Sequence, residues 1–130
     1  MKLAALAFVV AAVPAASQEP APRSVQDGVY TAAQAERGKQ VYKQACAECH
    51  ALDWYQGETM QPWDGAPLFD LYELIATVMP QDNPGSLKRR EYVDLVAFLL
   101  SLNGMPAGAK ELPNQPSDLK QILIKWRNKP

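Results

Sequence analysis

With 130 residues, 48% of them hydrophobic and 21% charged, the chain has enough apolar content for one small core and too much for a disordered segment. Thirteen basic residues against fourteen acidic ones, a formal charge of −1, lack the basic excess that a phosphate backbone demands, so a nucleic-acid partner is not expected.

At the start, Lys2 precedes an apolar run from Leu3 to Val13, and the small residues Ala15, Ala16 and Ser17 follow. That is the layout of a cleaved secretory signal peptide over residues 1–17. The run is shorter than the about 18 apolar residues of a membrane span, so no span is expected after cleavage; an uncleaved anchor is the lesser reading. Cleavage removes one charged residue, Lys2, leaving 12 basic against 14 acidic residues and a formal charge of −2. Export also puts the two cysteines in an oxidising setting, where exposed thiols need a bridge or another covalent fate.

Residues 18–29, carrying Pro20 and Pro22 without apolar periodicity, predict an extended, flexible lead. Thr31 with Gln34 three residues on is a capping-box signature, and good helix formers run from there through Ala45. Ala35, Gly38, Val41, Tyr42 and Ala45 recur at helical spacing, giving this first helix one apolar face. Residues 51–67 read as loop, punctuated by Gly57, Pro62, Gly65 and Pro67 and carrying three bulky rings, Trp54, Tyr55 and Trp63. A second helix is predicted over Leu68 to Val78, with Leu71, Leu74, Ile75 and Val78 on one face. It must stop near Met79, because Pro80 disfavours helical geometry in the residue before it.

The third helix is predicted from about Ser86 to Asn103, with Tyr92, Leu95, Val96, Leu99 and Leu102 as its apolar positions and Asn103-Gly104 as its C-cap. Lys88, Arg89 and Arg90 oppose the helix dipole in the first turn, at about 0.3–1 kcal/mol per charge. A solvated cluster is the plain reading and a small docking patch the sharper one. Beyond it, Leu119, Ile122, Leu123 and Trp126 fall at i, i+3, i+4 and i+7, predicting a short amphipathic helix capped by Ser117. Its apolar stripe either packs back onto the body or is presented to a partner. With no internal repeat and no strand-like alternation, the fold class expected is all-α with long ordered loops.

Both cysteines and the single histidine fall within five residues, Cys46-Ala-Glu-Cys49-His50. A thiol–disulfide redox centre normally sits at a strand–helix junction, and no βαβ pattern is present. A structural zinc site needs four ligands, and no further Cys or His exists to supply them. Cys-x-x-Cys-His is also the attachment signature for a c-type haem: the thiols of Cys46 and Cys49 add to two vinyl groups, and His50 lies beneath the iron as proximal ligand. That reading uses every residue of the motif; a plain disulfide beside a surface histidine is its rival.

A distal iron ligand has three sulfur candidates in the mature chain. Met60 is only ten residues from His50, little chain with which to pass around a macrocycle, and Met105 follows the third helix as a natural C-cap contact. Met79, 29 residues after His50 at a helix end halted by Pro80, is preferred over both.

With these residues in place the sequence resembles a class I cytochrome c, the small exported monohaem type associated with periplasmic quinoprotein (PQQ) dehydrogenases. The resemblance rests on "YTAAQAERGKQVYKQACAECH", "LYELIATVMPQDNPGSL" and "EYVDLVAFLLSLNGMPAG", within residues 30–108, the expected cytochrome c domain, followed by an extension over 109–130. It implies a fold in which the first and last core helices cross at Gly38 and Tyr42 on one side and Leu95 and Phe98 on the other. It also implies that the second ring nitrogen of His50 donates to a proline carbonyl, although neither Pro62 nor Pro67 stands in the family's register. Trp54, Tyr55 and Trp63 are expected to bond haem propionates or to cover the haem edge. The cofactor implied is one covalently attached haem c with its iron.

The function this implies is one-electron transport, not enzymatic turnover. A periplasmic dehydrogenase is the expected donor, and an oxidase or another cytochrome the expected acceptor. The alternatives are a haem ligand-binding or peroxidase-like protein with an open sixth iron position, and a tightly bound cytochrome subunit of one dehydrogenase clamped through the helix around Trp126.

Overall fold

The computed structural model describes residues 23–127; the expected signal peptide, residues 1–17, lies outside them. Four helices, α1 (Ala32–Ala45), α2 (Leu68–Val78), α3 (Arg89–Leu102) and α4 (Pro116–Leu119), carry the architecture, with two-residue strands β1 (Arg23–Ser24) and β2 (Ile122–Leu123) beside them. The fold is all-α, as the sequence implies. Among the described residues no helix is long and apolar enough to cross a membrane.

The centre of the molecule is the crossing of α1 and α3, the most extensive contact between any two elements. It is close because Gly38 has no side chain: a Cβ there would run into the carbonyl group of Asp94 and lie 2.9 Å from the amide nitrogen of Leu95. One turn on, the Tyr42 and Phe98 rings pack with centroids 5.7 Å apart, as the resemblance implies. Helix α3 is buried at every position from Tyr92 to Leu100, because α1, α2 and the chain's two outer segments cover it on different sides.

That all-round burial includes Asp94. Its carboxylate is reached by the Arg37 guanidinium through two bonds, at 2.9 and 3.0 Å, and Arg37 goes on to Glu111, which Arg90 also pairs. Arg90 is therefore committed within the fold and is not part of a free basic patch. Helix α3 starts later than expected, at Arg89, because Glu91 accepts from the Lys88 amide at 2.7 Å and fixes the N-terminus there. Its C-terminus closes as anticipated: Gly104 at φ +73 lets the Met105 and Gly104 amides return to the Leu100 and Ser101 carbonyls.

The Thr31 cap forms, with its hydroxyl accepting from the Gln34 amide at 3.1 Å. Gln34 does not complete the box. Its buried amide group exchanges two bonds with the backbone of Leu112, which ties the C-terminal segment to α1.

Both outer segments depart from the sequence expectation. The lead is not flexible from Arg23 onward: Ser24 caps a short 3₁₀ turn, and Val25 and Val29 are buried in the main core. The amphipathic C-terminal helix is reduced to the single turn α4, after which the chain is extended. Strand β2 pairs in parallel with β1, Arg23 opposite Ile122, and Ile124 exchanges bonds with Gly65 and Ala66. Ile122 and Ile124 are buried with Leu123 between them less so, a period of two that suits β-branched side chains in an extended strip. The Gln26 side chain bonds the Lys125 carbonyl at 2.7 Å, closing the wrap. The C-terminal segment thus packs onto the body, sharing a core with Leu68, Leu71, Val93 and Val96.

Candidate functional site

Helix α1 ends in the thiol–imidazole motif, and its local fold explains the spacing. The amides of Cys46 and Ala47 return to the Tyr42 carbonyl, and those of Cys49 and His50 return to Cys46. Positions i, i+3 and i+4 of a helical turn share a side, so Cys46, Cys49 and His50 are presented together. The Tyr42 hydroxyl donates to the His50 carbonyl at 2.6 Å and anchors the end of the motif to α1.

The two cysteines are differently placed: Cys46 is buried, which pushes its pKa up, and Cys49 is exposed. The His50 ring stacks on Trp54, centroids 4.8 Å apart at 24°, and meets Tyr55 edge-on at 5.6 Å. It makes no hydrogen bond among the described residues, so neither Pro62 nor Pro67 fixes it here. Burial, then the neighbouring Cys46 and Tyr42, raises the pKa of Tyr55 and keeps its phenol neutral. Asn103 bonds the Tyr55 carbonyl at 2.8 Å, securing this loop to the end of α3.

These residues open onto a cavity of about 1100 Å³. Cys46, Cys49 and His50 line it, as do Trp54 and Tyr55 from the first and Trp63 from the last of the loop's three short 3₁₀ turns. Helix α2 supplies Leu71, Leu74, Ile75 and Val78, its whole predicted apolar face, followed by Met79; α3 supplies Leu95 and Leu99. The volume reaches the upper end of ordinary small-molecule sites.

The lining fits a flat apolar macrocycle. Leu74, Val78 and Trp54 are 47%, 42% and 51% exposed, an apolar wall that folding alone leaves in water. Large exposed apolar surfaces mark ligand sites, and a bound haem would cover this one. Among the described residues, no group of three or more His, Cys, Asp or Glu is arranged to hold a bare metal ion.

Of the three candidate methionines, Met105 is away from the cavity: it is buried at the end of α3, and its sulfur accepts from Gln26 at 2.9 Å. Met60 lines the cavity but is 4% exposed and part of the core. Met79 lines it from the first residue beyond α2, in extended conformation, as a residue before proline should be. Sequence reasoning missed what holds Met79 there: the Tyr92 hydroxyl donates to its carbonyl at 2.7 Å. The available signal was a phenol among Leu and Val on an apolar helix face, where a buried hydroxyl needs a partner.

A family model described as cytochrome c oxidase, cbb3-type, subunit III matches residues 33–99, from the first turn of α1 to the last of α3. The chain belongs to this family of c-type cytochromes. Membership implies covalently bound haem c with its iron, a haem-based electron carrier, and redox proteins as partners. No curated protein and no solved structure matches the chain.

Proposed function

We propose that this cytochrome is a periplasmic one-electron carrier, exported by a cleaved N-terminal signal, whose haem is attached through Cys46 and Cys49 and ligated by His50 and Met79. The observation that carries the reading is a single cavity lined by Cys46, Cys49, His50 and Met79, with Leu74 and Val78 of α2 otherwise left in water. Haem bound there supplies a ferric/ferrous couple. Met79, as a sulfur ligand, favours the reduced state, and Leu71, Ile75, Leu95 and Leu99 exclude water and disfavour the added charge of the oxidised one. With His50 and Met79 both committed, no position is left for a substrate, which is why electron transfer and not enzymatic turnover is the function proposed.

The resemblance to cytochromes associated with quinoprotein dehydrogenases supports such a dehydrogenase as donor, and an oxidase or second cytochrome as acceptor. A second reading, a tightly bound cytochrome subunit, draws on the family description, which names an oxidase subunit. Against a clamp formed by the C-terminal segment, Leu119, Ile122 and Ile124 spend their apolar surface inside this chain. Purification at high salt separates the two: a carrier is recovered alone, a subunit with its partner.

Absorption spectra of the exported, haem-loaded protein and of Met79→Ala test the ligation. The expected result is a low-spin spectrum whose weak far-red sulfur–iron band disappears in the variant. A parent without that band that binds carbon monoxide at once would instead establish an open iron position.

A further inference from the structure

Ten residues, Met79 to Lys88, connect α2 to α3, and they converge on one side chain. Tyr92, in the first turn of α3 and 3% exposed, donates its hydroxyl proton to the Met79 carbonyl at 2.7 Å. The Tyr92 hydroxyl oxygen in turn accepts from the Leu87 amide at 3.4 Å. Gly85, at φ +75, turns its own amide back to the Met79 carbonyl at 3.3 Å. On the other side, the Met79 amide closes the last turn of α2 on the Ile75 carbonyl at 2.9 Å. Both peptide groups flanking the Met79 Cα are thus pinned, one by α2 and one chiefly by Tyr92.

We infer that Tyr92 is a positioning residue for Met79: its hydroxyl holds the backbone from which the thioether is presented, and so sets how readily an outside ligand takes the thioether's place on the iron. The inference rests on the reading of Met79 as distal ligand. Removing the oxygen leaves the Met79 carbonyl with only the longer Gly85 bond and the Leu87 amide without a partner, while the ring still fills its place in α3. A ligand presented from a loosened backbone competes less well, because more conformational freedom must be given up each time the sulfur engages.

The test uses the haem-loaded ferric protein and titrates imidazole against it, following the far-red band, in the parent, Tyr92→Phe, Met79→Ala and Gln34→Ala. Gln34 lies outside the cavity, and its loss weakens the fold through the Leu112 bonds, which controls for general destabilisation. Tyr92→Phe is expected to keep a weakened band and to bind imidazole roughly three- to tenfold more tightly, the scale of one neutral hydrogen bond. Gln34→Ala is expected to bind as the parent does. Parent-like imidazole affinity in Tyr92→Phe, or equal tightening in Gln34→Ala, overturns the inference while leaving Met79 ligation intact. A band that is missing from the parent, or that survives in Met79→Ala, overturns both.

Discussion

Gly38 and Asp94 meet backbone to backbone, with no space between α1 and α3 for even a methyl group. Because the obstacle is a carbonyl inside a helix and not the tip of a flexible side chain, it yields only if the helices part. Gly38→Ala is expected to cost about 3 kcal/mol or more, above the usual about 1–3 kcal/mol of overpacking and despite the better helix propensity of alanine. Denaturant unfolding of the haem-loaded protein checks this, and an unchanged midpoint would show that the crossing can slide.

Tyr42 contributes to the site in two separable ways. Its hydroxyl anchors the His50 carbonyl and its ring packs on Phe98. Tyr42→Phe removes the first alone and is expected to cost about 1 kcal/mol, one net hydrogen bond. Tyr42→Ala removes both, at about 3–5 kcal/mol. Similar losses for the two variants, read from unfolding midpoints, would mean that the anchor outweighs the packing.

Acid should weaken the fold through Glu111. The Arg37 hydrogen bond first, then the Arg37 and Arg90 charges, hold its carboxyl below the usual range. Since the folded pKa is the lower one, the stabilisation is present above the unfolded value of about 4.3 and is lost as the pH falls through the folded one. Glu111→Gln is expected to lower the melting temperature at neutral pH and to flatten part of the acid limb. Parallel melting curves for parent and variant across that range would remove Glu111 from the account.

The period of the C-terminal segment can be tested with two substitutions. Ile124 is 1% exposed in the extended strip, and Ile124→Ala is expected to cost about 2–5 kcal/mol. Leu123, which a helical stripe would favour, is only half-buried, and Leu123→Ala should cost less. The reverse order in thermal unfolding would restore the helix.

What the sequence disclosed and what it withheld divide along the range of the interactions. Helix α2 runs over the residues predicted because Pro80 stops it, a local effect, and the α3 C-cap follows from Asn103 and Gly104 alone. The Cys46–His50 motif is equally local, since one helical turn presents all three side chains. By contrast, the run Ile122-Leu123-Ile124 satisfies a helical stripe and a strand alternation alike, and only pairing with β1, about a hundred positions away, decides between them. Gln34 reads as half of a capping box until Leu112 claims its side chain. The Arg37–Asp94 pair likewise joins residues 57 positions apart and exists only once α1 and α3 are packed. The role of Tyr92 belongs to the same class: its apolar neighbours say that the hydroxyl needs a partner, and only the fold says that the partner is the Met79 carbonyl.

The bond from Gln26 to the Lys125 carbonyl joins positions 99 apart, and β1 and β2 join the same two segments. In synthesis order the first of these segments is made long before its partner exists, so the outer wrap closes late. Non-local closures of this kind carry their entropic cost before any contact repays it, and they slow folding. Until the wrap closes, Val25, Val29 and the edge of β1 lack the partners that later bury them. A nascent chain is therefore most open to misassociation around Val25 and Val29, and a holding chaperone would find its binding surface there.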